Sequence, residues 1–270
     1  LCCFSLKKNM PHRQSIERFA RQIVYEPWGV DGQRAMAAGR ALIVGVGGIG
    51  SWTAELLARA GAGFLRIADA DNVDLTNLHR QGLYDQLDAE AARPKVTAAA
   101  RRLAELNVEC IVDAVLARVD HTNIADLAGD VDLVIDGTDN FATRFLINDY
   151  CVKAGKPWVF AGVVGAEAQI AAIVPGKTAC LRCLLDEPPP PCSDPTCAQA
   201  GVLPMAVAAV AAAEAMEAAK ILAGRCDAAS PWLTKFDLWR NTSHRMPLGG
   251  PRQSPPCPCC IEREFEYLEP

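Results

Sequence analysis

The sequence predicts an α/β protein with a Rossmann-like, mostly parallel sheet, helices on both faces and an antiparallel C-terminal part. Strand-like and helix-like runs alternate as far as Val164, which is typical of a parallel sheet with right-handed crossovers. A glycine-rich turn follows the first apolar run directly. Three further strand-like runs beyond Val164 predict the antiparallel part. Of the 270 residues 50% are hydrophobic, enough to bury a large core.

Each predicted element follows from a local pattern. Apolar or β-rich runs predict the parallel strands, at residues 41–44, 64–68, 109–116, 132–136 and 158–163. Helical spacing of the apolar residues predicts the connections, at residues 51–60, 95–107 and 141–154. The antiparallel strands are predicted at residues 168–175, 232–239 and 243–247.

Residues 204–223 form an apolar run that raises the question of a membrane span. Glu214, Glu217 and Lys220 interrupt this run, and alanine dominates it. We therefore expect a packed helix and no membrane partner. Its small face, at Ala208, Ala212 and Ala215, would permit the close approach of another helix.

The glycine turn indicates a phosphate site. Gly45, Gly47, Gly48 and Gly50 lie between a predicted strand and a predicted helix, so the free N–H groups of the helix start would face a ligand. A tight turn without a ligand is the alternative for an isolated motif of this kind. Asp69 ends the next strand, where its carboxylate would accept hydrogen bonds from ribose hydroxyls unless it is simply a solvated strand-end acid.

The residues that follow Asp69 change the expected ligand. Acidic side chains are followed closely in the sequence by amide and guanidinium donors. The acids are Asp69 and Asp71, and the donors are Asn77, Arg80 and Gln81. One site would thus present acceptors for a ribose and donors for phosphates side by side. This combination favours ATP over NAD.

Four segments resemble the adenylating enzymes of the bacterial MoeB/ThiF/HesA group, which are similar to ubiquitin activators. They are residues 45–50, 69–81, 93–96 and 137–140, the last two reading Arg-Pro-Lys-Val and Gly-Thr-Asp-Asn. The resemblance extends from about Arg18 to Cys260, and residues 16–22 resemble the family's opening signature. It implies that the Gly-Gly carboxylate of a small ubiquitin-like sulfur carrier attacks the α-phosphate of ATP, forming an acyl-adenylate and pyrophosphate.

The resemblance implies a role for each matched cation and amide. Arg80 would bind phosphate oxygens through its forked guanidinium, and Lys95 would act as a point charge beside them. Asn77 and Gln81 would add neutral donors near the nucleotide. From the sequence alone, Lys95 is equally a helix-start lysine on a solvated face.

The resemblance also implies a magnesium site and a dimer. Asp139 would hold Mg²⁺ with Asn140 beside it, because it follows a buried strand at the edge where parallel sheets bind ligands. Arg21 would reach into the site of a second copy as an arginine finger, which would make the homodimer the active form. Without the resemblance, Arg21 is a surface residue of a short N-terminal helix.

Two Cys-x-x-Cys pairs predict a structural Zn²⁺ site with four sulfur ligands, Cys180, Cys183, Cys257 and Cys260. Cys259 is an alternative to Cys260, although spacing and the resemblance both favour Cys260. Disulfides are disfavoured because residues 1–10 lack the pattern of a signal peptide.

Cys197 occupies the position where some members of the resembled family carry a sulfur-accepting or thioester cysteine. It lies just before a predicted long helix, whose N-terminus would lower its pKa. Cys192 could replace it as the nucleophile, and the alternative is that neither thiol forms a covalent intermediate. Pro188 and the prolines that follow it predict an exposed crossover loop at about residues 184–203.

The whole chain has the composition of a cytoplasmic enzyme. Its net charge of −5 and the absence of a basic run argue against nucleic-acid binding. We expect a disordered or non-native leader at residues 1–14, an adenylation domain at 15–250, and a tail at 251–270 that carries the second cysteine pair. The expected partners are the sulfur carrier, a second copy of the chain, and a sulfur donor such as a cysteine desulfurase.

Three other functions compete with this hypothesis. An NAD-dependent oxidoreductase would share the glycine turn and Asp69, but it would give no reason for Arg80, Lys95 and Asp139. An adenylating enzyme that acts on tRNA fits the cysteine pairs and the acidic charge less well than one that acts on a protein tail. A non-catalytic subunit of activator type would lack one or more of Arg80, Lys95 and Asp139, and all three are present.

Overall fold

One eight-stranded sheet runs through the computed structural model, which describes residues 17–189 and 200–269. Its strands are β1 (Arg40–Val44), β2 (Phe64–Asp69), β3 (Ile111–Leu116), β4 (Leu133–Asp136), β5 (Trp158–Val164), β6 (Glu167–Ile173), β7 (Trp232–Asp237) and β8 (Thr242–Pro247). They lie in the order β3-β2-β1-β4-β5-β6-β7-β8. The first five pair in parallel and the remaining strands pair antiparallel. The predicted fold class is confirmed.

Helices pack on both faces of this sheet. In the described residues they are α1 (Ala20–Ile23), α2 (Gly29–Ala38), α3 (Gly48–Ala60), α4 (Gln86–Glu90), α5 (Lys95–Leu106), α6 (Ile124–Ala128), α7 (Phe141–Ala154), α8 (Leu181–Leu184) and α9 (Pro204–Leu222). One apolar core joins α2, α3, α5 and α9 to the sheet, and a second core on the opposite face joins α6, α7, α8 and the C-terminal tail. The short helices α4, α6 and α8 and the helix α2 were not predicted.

Helix α3 begins earlier than the sequence pattern indicated. The apolar spacing predicted a start at Ser51, whereas the helix begins at Gly48, so half of the glycine turn forms the first helical turn. The helix ends at Gly61, which has a left-handed conformation with φ of 94°. The N–H groups of the first turn therefore include those of Gly48 and Gly50.

Helix α9 is a packed helix, as predicted. Glu214 and Glu217 are both buried on it, and among the described residues no helix is long and apolar enough to cross a membrane. Of the predicted small face, Ala215 is buried in the core and Ala212 is exposed, and the contacts with Thr53 of α3 come from Ala211 and Glu214.

The turns after β1 and β4 meet through backbone atoms. A Cβ atom added to Gly50 would lie 2.0 Å from the carbonyl oxygen of Gly45, and one added to Gly137 would lie 2.1 Å from the same oxygen. Gly45 itself has φ of 84°, a conformation that L-residues rarely adopt. Only glycine therefore permits these two turns to be in contact.

We expect Gly50→Ala to lower the free energy of unfolding by at least about 2 kcal/mol, because the methyl group meets backbone rather than a movable side chain. The matched control is Gly250→Ala, whose Cβ would have no neighbour within 4 Å, and we expect a change within about 0.5 kcal/mol. Denaturant unfolding followed by circular dichroism measures both. Equal stability of the two variants would contradict the described contact.

Candidate active site

A crevice lies where the strand order reverses. The neighbours of β1 are β2 on one side and β4 on the other, so the connections that leave these strands run in opposite directions. In open parallel sheets, ligands bind outside the carboxyl ends of the strands at such a point. The predicted site residues at 45–50, 69–81 and 137–140 all follow the carboxyl ends of β1, β2 and β4. The fold therefore brings these three segments to one edge of the sheet.

Two of the four predicted glycines leave space for a ligand. A Cβ atom on Gly47 would have Gln81 Nε2 as its nearest neighbour, at 3.8 Å, and one on Gly48 would contact only a side-chain methyl of Val207. The protein's own backbone thus gives no reason for glycine here, in contrast to Gly45 and Gly50. The open surface lies at the N-terminus of α3, where a phosphate would meet free N–H groups and the positive end of the helix dipole.

Asp69 shapes the glycine turn. One carboxylate oxygen accepts a hydrogen bond of 2.9 Å from the Val46 N–H, and the other accepts a bond of 2.8 Å from the Asp71 N–H. The sequence predicted only contacts with a ribose. Each carboxylate oxygen has a further lone pair, with which it can accept another hydrogen bond. Ribose binding by Asp69 therefore stays a prediction, in addition to this structural role.

Lys95 and Asp71 form an ion pair beside the turn. Lys95 Nζ lies 2.8 Å from Asp71 Oδ2, and the lysine side chain is 8% exposed whereas the aspartate side chain is 65% exposed. A backbone bond of 2.9 Å from the Lys95 N–H to the Asp71 carbonyl oxygen holds the same two residues together. The alternative of a solvated helix-start lysine is wrong. Lys95 is instead a largely buried cation held by Asp71 beside the glycine turn.

Gln81 carries a buried polar atom that has no partner within the described residues, its side-chain oxygen Oε1. The residue is 4% exposed, and its Nε2 faces Gly47. A buried amide oxygen without a hydrogen bond destabilises a protein, so it points to a missing ligand or water. Arg80 lies next to it, and its guanidinium donates to the Thr76 carbonyl oxygen at 2.8 Å.

Asn77 has a structural role that the sequence did not predict. Its side-chain oxygen accepts a 3.1 Å bond from the Asp74 N–H and closes a capping box around the 3₁₀ turn Leu75–Asn77. The Asp74 carboxylate accepts bonds from the side chain and backbone of Thr76, which lower the pKa of Asp74. The NH₂ group of Asn77 takes no part in this capping box.

The loop after β4 presents Asp139 to solvent. Asp136 is fully buried, and its two oxygens bind Arg144 Nε at 2.8 Å and the Thr138 N–H at 3.0 Å. Burial raises the pKa of Asp136, and the Arg144 guanidinium opposes that shift. Sequence reasoning missed Asp136 and Arg144, which position this loop.

Asn140 is the N-cap of α7 and accepts a 2.9 Å bond from the Thr143 N–H, so its observed role is to begin a helix.

Arg21 lies near the C-terminal end of α3, whereas the glycine turn lies at its N-terminal end. It is exposed on α1, and its neighbour Gln22 donates a 3.0 Å bond to the carbonyl oxygen of Ala60, the last residue of α3. Helix α3 has 13 residues, so roughly 20 Å separate Ala60 from the glycine turn. Arg21 is therefore not brought to the glycine turn of its own chain.

The four predicted cysteines converge. The sulfur atoms of Cys180, Cys183, Cys257 and Cys260 all lie within 4.8 Å of one another, and this group could hold a metal ion. Neighbouring sulfurs are 3.4–3.8 Å apart, close to the roughly 3.8 Å edge of a tetrahedron with Zn–S bonds of about 2.3 Å. The donor set and its spacing fit Zn²⁺.

Cys259 is outside this group. It is fully buried and accepts a hydrogen bond from Asn148 Nδ2 at 3.3 Å. Asn148 also accepts a 2.8 Å bond from the Leu181 N–H through its side-chain oxygen, so it joins α7 to both cysteine segments. Cys192 and Cys197, the predicted nucleophiles, lie outside the described residues.

We expect Cys260→Ala to lose bound zinc and Cys259→Ala to retain about one zinc ion per chain, because only the first substitution removes one of the four converging sulfurs. Metal analysis by mass spectrometry after dialysis measures both variants. The two substitutions remove the same atom from adjacent residues, so each is the control for the other. Retention by Cys260→Ala together with loss by Cys259→Ala would reverse the ligand assignment.

Comparison with known proteins places this geometry in a family. Residues 19–259 match the ThiF family. The sulfur carrier protein ThiS adenylyltransferase of Bacillus subtilis is 38% identical over 93% of this chain and 73% of its own length. The SAMP-activating enzyme E1 of Haloferax volcanii is 35% identical over 94% of this chain and 92% of its own. Among solved structures, E. coli MccB with ATP has a TM-score of 0.76 and 25% identity, covering 93% of this chain and 76% of that chain.

Proposed function

Because the chain belongs to the ThiF family, we propose that it is an adenylyltransferase that acts on the C-terminal Gly-Gly carboxylate of a small ubiquitin-like sulfur-carrier protein. One observation carries this proposal: the open glycine turn, the buried Lys95 and the unpartnered Gln81 oxygen converge at the switch point between β1 and β4. The named activities of the B. subtilis and H. volcanii relatives support the same reaction class.

In the proposed reaction, a carboxylate oxygen of the carrier forms a bond to the α-phosphorus of ATP. The bond from that phosphorus to its bridging oxygen breaks, and pyrophosphate leaves with the electron pair. The reactants are all anionic, so the site must supply positive charge where negative charge accumulates. The N-terminus of α3 and the guanidinium of Arg80 would bind phosphate oxygens. Lys95 would exchange its contact with Asp71 for a contact with the triphosphate.

We propose that Asp139 holds Mg²⁺ and that the four-cysteine group holds Zn²⁺. A magnesium ion would neutralise phosphate charge, and the exposed Asp139 carboxylate at the carboxyl edge of the sheet is a suitable ligand for it. The zinc ion would be structural, because four sulfur ligands leave no open position for chemistry. A four-thiolate site persists in a reducing compartment, which supports a cytoplasmic location.

We propose a homodimer in which Arg21 serves the second copy. The position of α1 at the far end of α3 supports this arrangement, because Arg21 is exposed there and remote from its own crevice. In this dimer the arginine would stabilise charge at the partner's phosphates. Cys197, or Cys192 in its place, would take part only after adenylation, in transfer of sulfur from a donor such as a cysteine desulfurase.

The competing functions explain fewer of the observed contacts. An NAD-dependent oxidoreductase has no use for a buried lysine paired with an exposed aspartate beside the pyrophosphate turn. An enzyme that adenylates tRNA would need a basic surface, whereas the chain has a net charge of −5. A non-catalytic subunit would not need Arg80, Lys95 and Asp139 together.

We expect Asp139→Ala and Arg80→Ala to reduce adenylate formation by at least about a hundredfold, because each removes a group that offsets phosphate charge. The measurement is mass spectrometry of carrier proteins ending in Gly-Gly after incubation with Mg-ATP. The control is Arg59→Ala, which removes an exposed arginine whose partner is Glu55, one helical turn away. Full activity of Asp139→Ala or Arg80→Ala would refute that residue's role.

A mixing experiment tests whether Arg21 of one chain acts in the site of the other chain. Arg21→Ala and Asp139→Ala should each be inactive as homodimers, and their mixed dimer should contain one intact site made from both chains. Random re-pairing of equal amounts should restore about a quarter of full activity, because half of the dimers are mixed and each has one working site of two. No recovery despite confirmed exchange of subunits would exclude the action of Arg21 across the dimer.

A further inference from the structure

Both polar backbone atoms of Val46 are hydrogen-bonded to side chains. Its N–H donates to Asp69 Oδ2 at 2.9 Å, and its carbonyl oxygen accepts a 2.7 Å hydrogen bond from the hydroxyl of Tyr84. Val46 lies between Gly45 and Gly47 in the turn that faces the proposed phosphates. These two atoms belong to the two peptide units that flank the Val46 Cα atom: Asp69 holds the Gly45–Val46 unit, and Tyr84 holds the Val46–Gly47 unit. Neither unit can rotate without breaking its bond, so these two side chains set the direction of the N–H groups of Val46 and Gly47.

Tyr84 is suited to be a permanent donor. The residue is 8% exposed, and burial together with the nearby carboxylates of Asp69, Asp71 and Asp88 raises its pKa well above the usual value of 10. The hydroxyl therefore keeps its proton at neutral pH and can donate it to the Val46 carbonyl oxygen.

Tyr84 also belongs to the segment that carries Arg80 and Gln81. Two further bonds join this segment to the first turn of α3: the Gly82 N–H donates to Ser51 Oγ at 3.1 Å, and Trp52 Nε1 donates to the Arg80 carbonyl oxygen at 3.0 Å. The indole of Trp52 lies flat against Gly82, where a Cβ would be 2.8 Å from the ring. The glycine turn and the segment with the phosphate-binding side chains are thus connected at three points.

We propose that Tyr84 is a positioning residue that aligns the nucleotide-binding turn with the segment bearing Arg80 and Gln81. The inference rests on the proposed function only in that ATP occupies this crevice. The Tyr84 hydroxyl is directed at the Val46 carbonyl oxygen, so no contact of Tyr84 with the nucleotide is proposed. It acts through the Val46 peptide, and its hydroxyl links the two segments that must hold the same triphosphate.

The expected effect is on ATP affinity. Tyr84→Phe should weaken the binding of Mg-ATP about fivefold to tenfold, because one neutral hydrogen bond is lost and the Val46 carbonyl oxygen is left without its donor. In the proposed site, the turn would contact the phosphates equally in the bound ground state and in the transition state. The KM for ATP should therefore rise by the same factor, while the rate at saturating ATP stays within about twofold.

Calorimetric titration of each protein with Mg-ATP measures this effect without a carrier protein. The matched control is Tyr150→Phe, which removes the same hydroxyl from a half-buried tyrosine on α7 and should bind Mg-ATP within about twofold of the unsubstituted chain. Circular dichroism establishes that each variant is folded at the temperature of the titration. Tyr84→Phe that binds Mg-ATP as tightly as Tyr150→Phe would overturn the proposal.

A second variant keeps the test decisive if Tyr84→Phe fails to fold. Ser51→Ala removes another of the three connections and should also weaken Mg-ATP binding by at least about threefold. Unchanged affinity in Ser51→Ala would then overturn the proposal. If the unsubstituted chain binds no Mg-ATP, this inference and the proposed function both fail. If it binds Mg-ATP but forms no adenylate with any carrier, only the proposed function fails.

Discussion

The site depends on a backbone contact that leaves no room for a side chain. The carbonyl oxygen of Gly45 meets both Gly50 and Gly137 at distances that a Cβ atom would make impossible. This contact draws the turn after β1 and the turn after β4 together, and the parallel register of the two strands brings their carboxyl ends to the same edge of the sheet. The separation between the start of α3 and the loop with Asp139 is therefore set by main-chain atoms, which cannot move aside as side chains do.

Charge balance is the second constraint on the crevice. Asp69, Asp71 and Asp139 all lie at the edge where a triphosphate would bind, and unpaired carboxylates there would repel it. Asp69 is engaged by two backbone N–H groups, and Asp71 is paired with Lys95. These contacts lower the electrostatic cost of binding a polyanion. They also keep Lys95 extended towards the crevice, because a largely buried ammonium group needs a hydrogen-bonded partner.

Most strands and the long helices could be predicted because a buried parallel strand needs an uninterrupted apolar run, and β1 and β4 have one. The convergence of the four cysteines could be predicted because the geometry of a metal site restricts the spacing of its candidate ligands. The roles of Asn77 and Asn140 could not, since an amide that caps a helix and one that binds a nucleotide look the same in sequence. Tyr84 was missed for a different reason. Its hydroxyl acts on a peptide 38 residues earlier in the chain, and no local pattern records such a contact.

Helix α7 connects the two functional regions physically. Its N-cap, Asn140, adjoins Asp139, and Arg144 in its second turn binds the buried Asp136 and the Thr138 carbonyl oxygen at 2.8 Å each. Further along the helix, the side-chain oxygen of Asn148 accepts a hydrogen bond from the Leu181 N–H, beside the four converging cysteines. A helix is stiff along its axis, so a metal ion that orders these cysteines would also restrict the helix whose first turn follows Asp139. A metal ion held by the four cysteines would in this way also restrict the loop that carries Asp139.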